Sequence, residues 1–68
     1  MAGTFKIIEL VGVSPVSFAE AVRAAVEEAA KTVRNMWWFQ VVEQRGRISE
    51  GKVSEFQVTI KVGFKLER

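Results

Sequence analysis

Near the C-terminus apolar residues hold every second position: Phe56, Val58, Ile60, Val62, Phe64 and Leu66, with Glu55, Gln57, Thr59, Lys61 and Lys65 between them. Successive strand residues point to opposite faces, so this run predicts a strand over 52–66 with one apolar face and one mostly polar face. The stretch FKIIELV is short, β-branched and partly alternating, and it predicts a strand over 5–11 that ends at Gly12. Between the two, the period changes. Phe18, Val22, Ala25, Ala29 and Val33 recur at spacings of three and four, which predicts an amphipathic helix with Glu20, Arg23, Glu27, Lys31 and Arg34 on its outer face. Two start signals compete for it: Ser14 followed by Pro15, and the capping-box form Ser17–Glu20. The helix is expected to stop near Arg34 and Asn35, where cations and a residue that tolerates the left-handed conformation suit a C-terminus. A second strand is predicted over 37–48, with Phe39 and Val41 on the helix side and a polar turn at Ser49-Glu50-Gly51 joining it to the last strand.

The order strand, helix, strand, strand gives an α+β domain without repeats or linkers. Its proportions carry an argument about assembly. A strand of about fifteen residues extends roughly 50 Å, whereas a helix of about twenty residues covers only ~30 Å. One helix cannot shield such a sheet. The far end and the face turned away from the helix, with Trp38, Val42 and Ile48, call for another cover, and further copies of the same chain are the economical one.

Composition sharpens this picture. At 68 residues the chain forms a single domain with a marginal core, and it has no cysteine for a disulfide and no histidine or cysteine for a structural zinc site. No apolar run approaches the ~18 residues of a membrane span and no secretory signal stands at the N-terminus, so a cytoplasmic protein with no membrane partner is expected. Ten basic and eight acidic residues alternate in sign along the chain, a weak case for nucleic acid despite a pI of about 9.4.

Candidate chemistry is sparse. Without histidine, cysteine, tyrosine or a glycine-rich phosphate loop, acid–base catalysis would rest on scattered Glu and Lys side chains, and an enzyme is not expected. The unusual segment is Met36-Trp37-Trp38-Phe39-Gln40. Strict alternation puts Trp38 on the face away from the helix together with Gln40, Gln44 and Gln57, and turns Trp37 towards the helix side as a core or core-edge residue. An indole beside a glutamine amide suits a planar heteroaromatic ligand, although a Trp on a sheet's second face more often packs into a subunit interface. Glu43, Arg45 and Arg47 read as a solvated strand face. A small nucleic-acid module is a third reading, but its aromatic pair on one face is missing, since Trp38 and Phe39 point opposite ways.

Phe5-Lys6, Glu9-Leu10-Val11-Gly12, the Ser14-capped helix, Trp38-Phe39 leading into Val41-Val42-Glu43, Arg45-Gly46, and the ending Phe56-Gln57-Val58 to Val62-Gly63-Phe64-Lys65-Leu66 together resemble the dodecin family, over essentially the whole chain. The resemblance implies a β-α-β-β subunit whose three-stranded antiparallel sheet wraps one helix, twelve of which form a hollow homododecamer. It implies storage and sequestration of a flavin, FMN or riboflavin, with the isoalloxazine ring stacked between symmetry-related tryptophans and shielded from photochemistry. Carried onto this sequence, Trp38 is the stacking residue and Gln57 pairs with the polar ring edge. Glu43 lies near the ribityl chain, Arg45 can meet a flavin phosphate, and Lys65 stands where some relatives carry an arginine associated with coenzyme A. Some relatives keep the shell without flavin, so a flavin-free structural shell is the alternative.

Overall fold

The computed structural model describes residues 3–67. In chain order the elements are β1 (Phe5–Ser14), α1 (Phe18–Ala29), β2 (Met36–Ser49) and β3 (Lys52–Lys65). The strands form one antiparallel sheet in the order β1-β3-β2, so the strand with the cleanest alternation is the central one. The expected α+β class and β-α-β-β order hold. β1 runs three residues beyond its predicted end, because Gly12, Val13 and Ser14 stay paired with Val58, Gln57 and Phe56.

The helix starts at the second of the two signals and stops short of its expected C-terminal end. Ser17 is the N-cap: its Oγ accepts a hydrogen bond from the Glu20 amide at 3.0 Å. Ser14 instead closes β1, buried, with its Oγ accepting from the Val16 amide at 2.9 Å, so Pro15 lies in the connecting bend and not at the first helical position. At the other end the Lys31 and Thr32 amides donate to carbonyls three residues back, Glu28 and Ala29, which tightens the chain out of α geometry. β-Branched Thr32 and Val33 do little to extend the helix. Asn35 takes its left-handed conformation (φ 63°) at the start of β2, not at the helix end, and its carbonyl accepts from the Lys65 amide at 3.0 Å.

Ala21, Ala25 and Ala29 form the buried stripe of α1, so the centre of the face lies at Ala21 and not, as the spacing suggested, at Val22. Small residues let the helix lie close to the sheet, where Val58, Ile60 and Val62 are its floor. The approach is tightest at Gly12. A Cβ there would stand 2.0 Å from the Ala21 carbonyl oxygen. Phe18 meets Phe56 edge to face at 5.0 Å and closes one end of the core.

A helix of twelve residues spans about 18 Å and a strand of fourteen about 46 Å, and the longest dimension of the subunit is 52 Å. α1 covers β1 and β3 and leaves β2 open: Phe39 and Val41 face the helix side, yet are 51% and 40% exposed. An apolar groove of about 480 Å³ runs between α1 and β2, lined by Ala19, Val22, Arg23, Val26, Glu27 and Phe39. At the far end β2 and β3 turn through Glu50 and Gly51, both at positive φ, the two-residue hairpin turn that matches strand twist. Among the described residues no helix is long and apolar enough to cross a membrane.

Candidate functional site

Two bulges in β2 decide which side chains reach the face turned away from α1. Strict alternation holds only while each β2 residue has one partner, and it fails at Trp37 and again at Val42, each an extra residue opposite β3. Met36 pairs with Phe64 on the helix side and Trp38 with Gly63 on the outer face, so Trp38 stands where parity placed it. Trp37 does not. Its ring meets Phe5 edge to face at 5.1 Å, and Phe5 pairs with Lys65 on the outer face, so Trp37 belongs to that side and is 66% exposed. The bulge, which a period-two reading cannot register, overturns its placement in the core.

Beyond Val42 the alternation restarts in opposite phase. Gln44 pairs with Val58 and so moves to the helix side, away from Trp38, whereas Glu43 pairs with Thr59 and Arg45 with Gln57 on the outer face. Charges that read as a plain solvated strand are thereby brought beside Gln57.

The outer face carries two clusters. At one end the six-membered part of the Trp38 indole lies over Gly63, three of its atoms within 2.3–2.6 Å of where a Cβ would stand. Phe5 flanks the indole at 5.1 Å between ring centroids. Only the missing side chain of Gly63 lets the ring lie so close to the sheet, and 42% of Trp38 remains exposed. Lys65 joins this end, with its Nζ 5.7 Å from the centre of the Trp37 ring, a cation–π arrangement. The second cluster is polar. Arg45 donates from Nε to Gln57 Oε1 at 2.8 Å and from Nη1 to Glu43 Oε1 at 2.7 Å, and Gln57 Nε2 donates to Glu55 Oε1 at 2.8 Å. Sequence reasoning missed Glu55; its position two residues before Gln57 on the same strand face was the signal available.

Trp38 and Gln57 therefore share a face, as expected, but their strands do not bring them together. Gly63 and Gln57 are six positions apart on β3, about 20 Å. With the indole held over Gly63 and the amide tied to Glu55 and Arg45, the two do not meet within one subunit. Among the described residues no three His, Cys, Asp or Glu side chains gather where they could hold a metal ion.

The outer face is also apolar around these clusters, with Ile7, Val11 and Val13 of β1 about half exposed. Against known proteins, a family profile described as Dodecin matches residues 4–67. A dodecin of Thermus thermophilus is 46% identical over 67 residues, covering 98% of this chain and 97% of the relative. A protein named calcium dodecin, from Mycobacterium tuberculosis, is 32% identical over 63 residues, 91% of this chain and 87% of the relative. The solved dodecin of Streptomyces davaonensis superposes with a TM-score of 0.95 at 38% identity, over the whole of both chains.

Proposed function

The chain belongs to the dodecin family of small ligand-binding proteins, and from that membership we propose that it stores and sequesters a flavin, FMN or riboflavin, on the outer sheet face of a homododecamer. One observation carries the reading: the Trp38 indole, seated over Gly63, flanked by Phe5 and still 42% exposed, is a platform for a flat ring. Stacking of a heteroaromatic ring on an aromatic side chain is worth ~1–3 kcal/mol and needs no bond-making chemistry. Because Trp38 and Gln57 stand about 20 Å apart along β3, each ligand takes its stacking wall from one subunit and its ring-edge partner from another, so the site exists only in the assembly. Gln57 keeps one amide hydrogen and one oxygen lone pair for the ring edge. Arg45 spends Nε and one Nη1 hydrogen inside its own subunit and keeps the rest for a phosphate, which favours FMN. Glu43 lies beside it near the sugar-alcohol chain. Lys65, stacked on Trp37 at the aromatic end, is the group available to a second anionic ligand such as coenzyme A.

The experiment is a fluorescence titration of free flavin, with mass analysis of anything released when the purified protein is denatured. The expected outcome is a yellow protein that quenches riboflavin and FMN, and a Trp38→Ala variant that stays assembled while its affinity falls roughly 5- to 150-fold. A colourless assembly that quenches neither flavin favours the structural shell. Binding that collapses with salt for FMN alone points to Arg45 or another cation at the phosphate, since riboflavin carries no charge.

A further inference from the structure

A glutamine amide has a donor end and an acceptor end of nearly the same shape, and an unheld one turns over freely. Gln57 is held from both sides by groups that tolerate a single orientation. The Arg45 guanidinium can only donate, so the oxygen must face it; the ionised Glu55 carboxylate can only accept, so the nitrogen must face that. Both contacts are 2.8 Å, and both holders sit on rigid positions: Arg45 directly across the ladder from Gln57, Glu55 two residues back on the same strand. Arg45 is itself steadied by Glu43 at 2.7 Å, so four side chains in a row alternate acceptor, donor, amide and acceptor along the sheet. These groups are part-buried or exposed, so their ion pairing contributes little to stability. What the row does fix is direction.

We propose that Arg45 and Glu55 set the polarity of the Gln57 amide and thereby make it a directional reader of an imide edge, in which a ring N–H donates a hydrogen bond to Gln57 Oε1 and an adjoining ring carbonyl accepts one from Gln57 Nε2. Glu55 is then a positioning and specificity-determining residue that need not touch the ligand. The inference rests on the flavin reading above and adds to it the chemical feature selected: an N–H flanked by a carbonyl on a ring whose place is already set by stacking on tryptophan. An amide locked in advance loses less rotamer freedom on binding, and it penalises a ring whose N–H is blocked by leaving a polar group unpaired.

The test compares riboflavin with N3-methylriboflavin, which keeps the ring and the sugar-alcohol chain and loses the imide hydrogen. Both are uncharged, so long-range attraction to a charge at position 55 does not enter. The assembled parent is expected to bind riboflavin at least ~5-fold more tightly than the methylated form, the value of one neutral hydrogen bond. Glu55→Gln keeps the size and can either donate or accept, so the ratio should shrink. Glu55→Lys can only donate, so it removes the acceptor that holds Gln57 Nε2 and competes with Arg45 for Oε1; the amide loses its single orientation, the ratio should fall and riboflavin should weaken by about 5-fold or more. Light scattering confirms that each variant is assembled. A parent-like ratio in Glu55→Lys overturns the inference, as does an equal loss for both ligands that leaves the ratio unchanged. A parent that binds neither ring overturns the flavin reading itself, an outcome distinct from a parent that binds and a silent position 55.

Discussion

Gly63 does the most at the scale of one residue by having no side chain. Its backbone is not in the left-handed region, where Gly51 is the glycine found, so alanine fits the strand and the substitution tests the contact with Trp38 alone. In Gly63→Ala the new Cβ would meet the indole at 2.3 Å and the ring must lift away from the sheet. Riboflavin affinity is expected to fall ~5-fold or more, with a shift in tryptophan emission as the ring becomes more hydrated. Parent-like affinity in an assembled variant would show that this contact does not set the platform. Trp37 is a lesson at the same scale. As a buried residue it would have served as a neutral control for Trp38, but both indoles meet Phe5 on the outer face, so a change at Trp37 would disturb the surroundings of the proposed site.

Among the elements, α1 depends on Gly12 for its seat on the sheet. A Cβ at this position would fall 2.0 Å from a helix carbonyl and 2.9 Å from the Ala25 Cβ, both fixed parts of a packed helix, so Gly12→Ala must push α1 outward. The expected cost is ~1–3 kcal/mol or more, read as a lower denaturation midpoint at fixed protein concentration. The sequence made β3 legible because a central strand with one face under a helix must alternate, and all six apolar positions from Phe56 to Leu66 announce it. It made the capping serine legible at Ser17, beside a rival at Ser14. The end of α1 was misread because Val33 keeps the helical spacing while the backbone has already tightened at Lys31 and Thr32. The outer face was half legible. Trp38 and Gln57 follow from parity, but Trp37, Gln44, Glu43 and Arg45 depend on bulges that leave no mark in a count of apolar positions.

For the whole molecule the decisive quantity is apolar surface left uncovered. Trp37, Trp38, Phe39, Val41, Val42 and Ile48 of β2 are each at least 40% exposed in the subunit alone, and the groove beside α1 adds to them. A soluble monomer does not keep so extensive an apolar surface. Size-exclusion chromatography with light scattering is expected to give a mass near twelve times 7.6 kDa, with a melting temperature that rises with protein concentration because folding and association are linked. A stable monomer at micromolar concentration would overturn this and the shared site with it.

After Met36, no residue of β2 is buried by its own subunit. Folding and assembly are therefore written in different strands. α1 and β3 supply the buried core with β1 packed against it, while β2, laddered to β3, would carry the surface that other copies read in the proposed assembly. In the proposed assembly, substitutions at the exposed β2 side chains, Trp38 over Gly63 excepted, would leave that core intact while changing which neighbours the subunit accepts, so that a mixed population of variants would sort into separate shells.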